Sequence, residues 1–279
     1  MTKSLMLIIL AVALSACAAP QRITPTAEGT APVEPGLIKL PEPRYDSDVS
    51  LEEALLKRRS VRHYTGEPLK LWEVSQLLWA AQGITSDWGG RTAPSAGATY
   101  PLETYLVVGD VEGLEEGVYK YNPHGHELRK VLDGDKRAEL AEAALGQSWV
   151  REGAVDIVFT AIYERTTGKY GKRGIRYVHM EVGHVGQNVY LQAVALDLGT
   201  VVIGAFYDDQ VKRILNLSDE EHPLYIMPVG RSRAFQRTDP GDSQPRSAGE
   251  KDTRGAVSCH LLRASRAEKV TVTWLAFEL

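Results

Sequence analysis

Apolar residues recur at helical spacing in several stretches of this chain. Between 69 and 82, Leu71, Val74, Leu77, Leu78 and Ala81 fall on one helical face. Between 175 and 198, Val178, Val182, Val185 and Val189 repeat every three or four residues and predict the longest helix. Gly183 and Gly186 lie beside that stripe, small enough to admit a neighbouring helix. Ser50 and Glu53 have capping-box spacing, and Leu51, Ala54 and Leu55 share a face of the helix that follows. Residues 135–149 and 208–216 read as further helices. Apolar runs predict strands at 104–108, 156–163 and 224–229, with an extended segment at 201–206. Runs at 118–121 and 127–131 flank Asn122-Pro123-His124-Gly125 and predict a hairpin. Helices and strands interleaved around one sheet, with a hairpin, predict an α+β or mixed α/β fold.

The two ends follow a different pattern. Lys3 precedes an apolar run from Leu5 to Leu14, then Ser15-Ala16-Cys17. A basic start, a short apolar core and small residues read as a secretory signal; the run is too short to span a bilayer comfortably. Leu14-Ser15-Ala16-Cys17 resembles the bacterial lipobox, which would make Cys17 the lipidated first residue of a membrane-anchored, exported protein. An ordinary secretory signal with an incidental cysteine is the alternative, as is a cytoplasmic protein. Residues 18–44 are rich in Pro, Ala, Thr and Glu and read as a flexible tether. The body runs over 45–235. Residues 236–279 form a polar tail of unassigned role, strand-like again at 269–277.

Composition narrows the class. The 279 residues are 43% hydrophobic with a net charge of −4, enough for one full core and a poor match to nucleic acid as partner. With two cysteines, one of them in the lipobox, the fold does not depend on a disulfide, and no cysteine pair can build a zinc site. His179 and His184 flank Glu181, but a spacing of five puts them about 140° apart on a helix, a poor geometry for one metal ion. No metal site is expected.

Two segments carry candidate chemistry. Arg58, Arg59, Ser60 and Arg62 form a dense cationic cluster. Arg58 and Arg62 share a face if the helix continues; if the chain bends at Ser60, its N–H and hydroxyl join both guanidiniums, which bind phosphate oxygens in forked pairs. A solvated basic helix end is the plain alternative. Pro94-Ser95-Ala96-Gly97-Ala98-Thr99-Tyr100-Pro101 is a small-residue loop that lets backbone approach a flat ligand.

Seven motifs in order resemble the flavin-dependent nitroreductase superfamily, and most closely its SagB-type, azoline-oxidising branch. They are R-R-S-V-R at 58–62, P-S-A-G-A-T-Y-P at 94–101, G-V-Y-K-Y-N-P-H-G-H at 117–126, K-Y-G-K-R-G-I-R-Y at 169–177, E-V-G-H-V-G-Q-N at 181–188, I-G-A-F at 203–206 and P-V-G-R at 228–231. The resemblance implies a nitroreductase-like α+β fold, a mixed sheet flanked by helices, with FMN at a homodimer interface. It implies that Arg58, Ser60 and Arg62 hold the FMN phosphate and ribityl chain and that Arg231 reaches the same phosphate. It places Pro94, Ser95, Ala96 and Gly97 along the isoalloxazine, and the backbone of Ile203, Gly204 and Ala205 near the ring. In the azoline-oxidising branch a Lys-Tyr pair is the implicated acid/base, here Lys169 and Tyr170. A lysine serves as base only where burial or nearby cations lower its pKa, and Arg165, Lys172 and Arg173 are the available cations; a basic surface loop is the alternative. The expected activity is FMN-dependent oxidation or reduction of a small molecule by hydride transfer at flavin N5. An NAD(P)H-dependent nitro or quinone reductase and a non-catalytic lipid-anchored scaffold are the alternatives. An exported protein meets no free NAD(P)H pool, which favours dehydrogenation of an organic substrate.

Overall fold

The computed structural model of the chain describes residues 36–232. The expected signal peptide with Cys17, most of the expected tether and the expected tail lie outside them. In chain order the elements are β1 (Leu37–Lys39), α1 (Leu51–Lys57), β2 (Leu69–Lys70), α2 (Leu71–Gln82), β3 (Leu102–Val108), β4 (Val111–Glu112), β5 (Gly117–Asn122), β6 (Glu127–Asp133), α3 (Arg137–Ala143), α4 (Ser148–Glu152), β7 (Val155–Ile162), α5 (Glu164–Tyr170), α6 (Arg173–Ala195), β8 (Leu198–Thr200), α7 (Asp208–Leu215) and β9 (Glu221–Arg231).

Seven strands form one sheet in the order β1-β6-β5-β3-β7-β9-β8, antiparallel throughout, while β2 and β4 make a separate parallel pair. Helices cover both faces. On one, Val74, Leu77 and Leu78 of α2 and Val178, Val182 and Val185 of α6 pack with Leu106, Ile157, Phe159 and Met227. On the other, Leu140 of α3 and Val211 and Leu215 of α7 pack with Val107, Val158 and Ile226. Each such aliphatic side chain contributes roughly 1.5–3 kcal/mol by leaving water. Burial on both faces is why β3 and β7 read as continuous apolar runs rather than alternating ones.

Several expectations are refined. The expected 135–149 helix is two short ones, because Leu145 and Gly146 both turn to positive φ between them. The strand β1 lies inside the stretch read as tether and pairs with β6. The segment 201–206 is extended but joins the sheet only through Ile203, bridged to Ile226. Gly186 faces Val202 and Tyr225 rather than a helix, and Gly183 faces open space. The helix α5 has no apolar stripe to announce it; Thr166 is its one buried residue.

Asp156 of β7 is wholly buried, and among the described residues neither carboxylate oxygen has a hydrogen-bond partner. Burial pushes its pKa well above the carboxylate range, against the pull of Arg137, whose guanidinium is held by Asp135. Its folded value lies above its unfolded one, so its contribution to stability is whole below about pH 4 and is lost as the pH rises. Asp156→Asn is therefore expected to be more stable than the native chain near neutral pH, by roughly 1–3 kcal/mol. The gap should close below about pH 3, where the carboxyl is protonated in both the folded and the unfolded chain. Urea unfolding at the two pH values measures this, and an equal gap at both would contradict it.

Candidate functional site

The arginine cluster does not sit on a helix. α1 starts with Ser50 Oγ accepting the Glu53 N–H at 3.1 Å and stops at Lys57. Arg59 turns back and donates to the carbonyls of Leu56 and Arg58 at 2.9 and 2.7 Å, closing the helix end. The chain then runs as an anchored loop. Val61 N–H donates to Thr200 O at 2.9 Å and Thr65 N–H to Arg231 O at 3.0 Å. The Tyr64 hydroxyl shares its one proton between Val61 O and Pro228 O, at 3.1 and 3.2 Å, and burial pushes its pKa far above that of an ordinary phenol. Gly199 and Gly230 make this seat possible: a Cβ at either would lie 2.6 Å from Val61 or 2.8 Å from Tyr64.

On this loop Arg58 stacks over the Tyr190 ring at 5.1 Å, and Ser60 Oγ shares a hydrogen bond with the Tyr190 hydroxyl at 3.0 Å. The same hydroxyl accepts the Val202 N–H at 2.9 Å. Tyr190 thus brings Arg58 and Ser60 beside the 203–205 segment. Arg62 stacks over Trp149 at 5.5 Å, and Gln147 next to that ring donates to Ala205 O at 3.2 Å. Among the described residues neither Arg58 nor Arg62 has a carboxylate partner. Ile203 is buried, whereas Gly204 and Ala205 are exposed. At Gly204 a Cβ would meet nothing of this chain closer than 3.8 Å. An exposed backbone strip beside two unpaired guanidiniums fits a ligand with a flat ring and a phosphate, which is the group that the resemblance implies.

Arg231, whose carbonyl accepts the Thr65 N–H of the same loop, has a carboxylate for its guanidinium. Its Nη2 donates to both oxygens of Glu73 at 2.9 and 3.1 Å, and its Nε to Pro68 O at 3.2 Å. Glu73 also accepts the Lys70 N–H at the start of α2, and its side chain is nearly buried. A buried carboxylate needs a cation, and Arg231 supplies it. Unlike Arg58 and Arg62, Arg231 thus has a carboxylate partner among the described residues.

The second cluster forms around the 94–98 loop. Ser95 Oγ accepts the Tyr100 N–H at 2.9 Å, and Ala96–Ala98 make a short 3₁₀ turn with Gly97 at φ +62°. Lys169 Nζ donates to Gly97 O at 3.2 Å. A Cβ at Gly97 would lie 2.4 Å from the Tyr170 hydroxyl and 2.6 Å from Lys169 Nζ. Gly97 is therefore needed as much to seat these two side chains as to expose backbone. Lys169 and Tyr170 end α5, which is tied to the same loop by Thr166 to Thr99 at 2.8 Å and by Arg165 to Tyr100 O at 3.1 Å. Arg165 is paired with Glu103, while Lys172 and Arg173 are exposed. The Lys-Tyr pair is a helix end pressed on a loop, not a free surface loop.

The two clusters meet α6 at different places. Glu181 faces Ser95 of the small-residue loop, and Tyr190 holds Arg58, Ser60 and Val202. These positions are nine residues apart, hence about 180° around the helix and roughly 13 Å along it. Sequence reasoning missed Tyr190, Trp149, Tyr64 and Glu181. Only Glu181 carried a signal, as the charged residue inside an apolar stripe. His179 is bonded to Tyr163 at 2.7 Å and His184 is exposed.

This α+β architecture, with its arginine loop and small-residue loop, is that of a class of oxidoreductases. The chain belongs to the nitroreductase family, whose model matches residues 55–231. A nitroreductase-family protein of Methanocaldococcus jannaschii is 55% identical over 184 residues, 66% of this chain and 92% of that protein. The microcin B17-processing protein McbC of Escherichia coli is 30% identical over half of this chain and 54% of its own length. A nitroreductase-family crystal structure from Anabaena variabilis superposes with a TM-score of 0.63 at 37% identity, covering 71% of this chain and 42% of that one. The chain thus spans about half of the length of the last two.

Proposed function

We propose that this chain is an FMN-dependent oxidoreductase of the nitroreductase/SagB type that acts as a homodimer. The observation that carries the reading is the anchored loop on which Arg58 and Arg62 lie on aromatic faces with no carboxylate among the described residues to neutralise them. Arg58, Ser60 and Arg62 would hold the phosphate and ribityl chain. The backbone of Pro94, Ser95, Ala96 and Gly97 and of Ile203, Gly204 and Ala205 would lie against the ring. FMN, when bound, supplies hydride acceptance or donation at N5. Dehydrogenation of an organic C–H substrate also releases a proton, and we assign Lys169 with Tyr170 to receive it. The relationship to a microcin-processing protein supports a substrate of that kind.

Two observations support the dimer. The two clusters occupy opposite faces of α6, so one ring reaches both most simply when a second copy supplies one of them. Leu51, Leu55 and Leu56 of α1 and Ile175 and Met180 of α6 are large, apolar and exposed, with Leu56 at 74%. We further propose that Cys17 carries lipid and holds the enzyme on the extracytoplasmic face of a membrane. There, electrons pass to a membrane quinone or to oxygen rather than coming from NAD(P)H.

Protein released from membranes should be yellow, with stoichiometric FMN, and an organic C–H substrate should bleach the flavin faster than NADPH does. Fast bleaching by NADPH alone would shift the reading to an NAD(P)H-dependent nitro or quinone reductase. A colourless dimer would leave only the scaffold. Palmitate labelling lost in Cys17→Ser tests the anchor.

A further inference from the structure

The seven-stranded sheet splits at one place. β3 and β5 are paired from Val108↔Gly117 to Tyr105↔Lys120, and there their ladder ends. Beyond it β3 stays on β7 as far as Leu102↔Ala161, and β5 stays on β6 as far as Asn122↔Glu127. The two strands therefore diverge, each held by its outer neighbour. Residues 102–104 and 120–122 line the cavity that opens between them, about 380 Å³, the size of a small-ligand pocket. None of its lining residues is assigned above to FMN or to the proton.

The cavity carries a charge that no carboxylate meets. Arg91, from the segment after α2, lines it. Its Nη1 donates to Gln82 Oε1 at 2.7 Å and its guanidinium stacks on Tyr100 at 4.4 Å. A guanidinium has five N–H donors, and among the described residues this is the one in use: Nη2 makes no hydrogen bond and Nε is buried without a partner. Gln82, 2% exposed, has its Nε2 buried and unpartnered as well. Glu103 and Glu181 are the acids in the field of Arg91, and neither closes an ion pair with it. Glu103 is taken by Lys120 at 3.1 Å and by Arg165, and Lys120 also reaches Glu221 at 3.1 Å. Those two cations and two acids balance. Arg129, also on the cavity wall, is engaged too. Two other partly buried arginines show what is missing at Arg91: Arg137 holds Asp135, and Arg231 holds Glu73. Taking a charge out of water is costly unless an opposite charge meets it.

We propose that this cavity is a binding site for a small organic carboxylate, its charge met by the Arg91 guanidinium and its body lying between the diverging strands. One uncompensated cation fits a monoanion; a phosphate dianion brings one charge too many. The forked donors of arginine match the two oxygens of a carboxylate. Leu102, Tyr121 and Pro123 give the body an apolar wall. The site depends on this chain alone and stands whether or not the chain binds flavin.

Benzoate serves as probe, with benzamide as its neutral counterpart and inorganic phosphate as the competing anion, each added to the full chain as purified at constant ionic strength. Backbone amide shifts report where each one sits. Benzoate should move the amides of residues 102–104 and 120–122, saturating in the millimolar range or below, and benzamide should bind at least about tenfold more weakly. Arg91→Gln should weaken benzoate binding by about 10- to 100-fold, and Arg91→Lys, which keeps the charge without the fork, should lose less. No shift at tens of millimolar benzoate, equal binding of benzamide, or unchanged affinity in Arg91→Gln overturns the proposal. Shifts confined to residues 58–62 overturn it too, because benzoate would then sit on the arginine loop, and so does tighter binding of phosphate at 102–104. Should Arg91→Gln fail to fold, the shift map and the preference for benzoate over benzamide in the native chain decide alone.

Discussion

Replacing Arg58 and Arg62 together by alanine should strip FMN from a protein that stays folded. Hydrogen bonds from a charged donor contribute roughly 1.5–3 kcal/mol each, so losing two guanidiniums should weaken binding by at least about 10²-fold. The fold should survive because neither side chain anchors the loop. That work falls to the Val61 and Thr65 amides and to the buried Tyr64 hydroxyl. What is lost internally is two stacking contacts, on Tyr190 and Trp149, each about 0.5–1 kcal/mol at an exposed site. Flavin content after gel filtration and the thermal midpoint of the flavin-free chain measure the two parts. Flavin retained in a folded double variant would remove the phosphate assignment.

Gly97→Ala should abolish most turnover while sparing the fold and much of the flavin. A methyl at this position enters the space of the Tyr170 hydroxyl and Lys169 Nζ. Both are the far ends of flexible side chains, so they move aside and the backbone stays. Alanine at φ +62° adds roughly 1–2 kcal/mol of strain, within the stability of an ordinary domain. If Lys169 and Tyr170 handle the proton as proposed, displacing them by about 1 Å costs about 10²-fold in rate. A fall of that size in kcat, with the melting midpoint lowered by only a few degrees, is the expected result. Unchanged kcat would mean that Lys169 and Tyr170 do not act at the positions they occupy here.

The core and the arginine loop were legible in sequence for different reasons. α2 and α6 each bury one stripe against the sheet, and a period of 3.6 survives in the residue pattern because water and core lie on opposite sides. β3 and β7 were legible as long apolar runs because both faces are covered. α5 left no trace: its only buried side chain is Thr166, and its contacts are polar bonds to the 99–100 loop and to Glu103. The break between α3 and α4 was hidden because Leu145 takes positive φ without being glycine.

By itself the sequence determined that the chain would fold as α+β, which segments enter the core, and that Arg58, Ser60, Arg62, Lys169 and Tyr170 are the residues to watch. These rest on local periodicity and on short motifs, which a linear reading contains in full. The tertiary structure alone decided how those residues are grouped. It paired Arg231 with Glu73, buried at the head of α2, where a carboxylate needs a cation. It set Lys169 and Tyr170 on Gly97, used Tyr190 and Trp149 as platforms for the arginines, and placed an acid under Ser95. Each depends on contacts between segments tens of residues apart, where burial and unmet charge, not spacing along the chain, choose the partner.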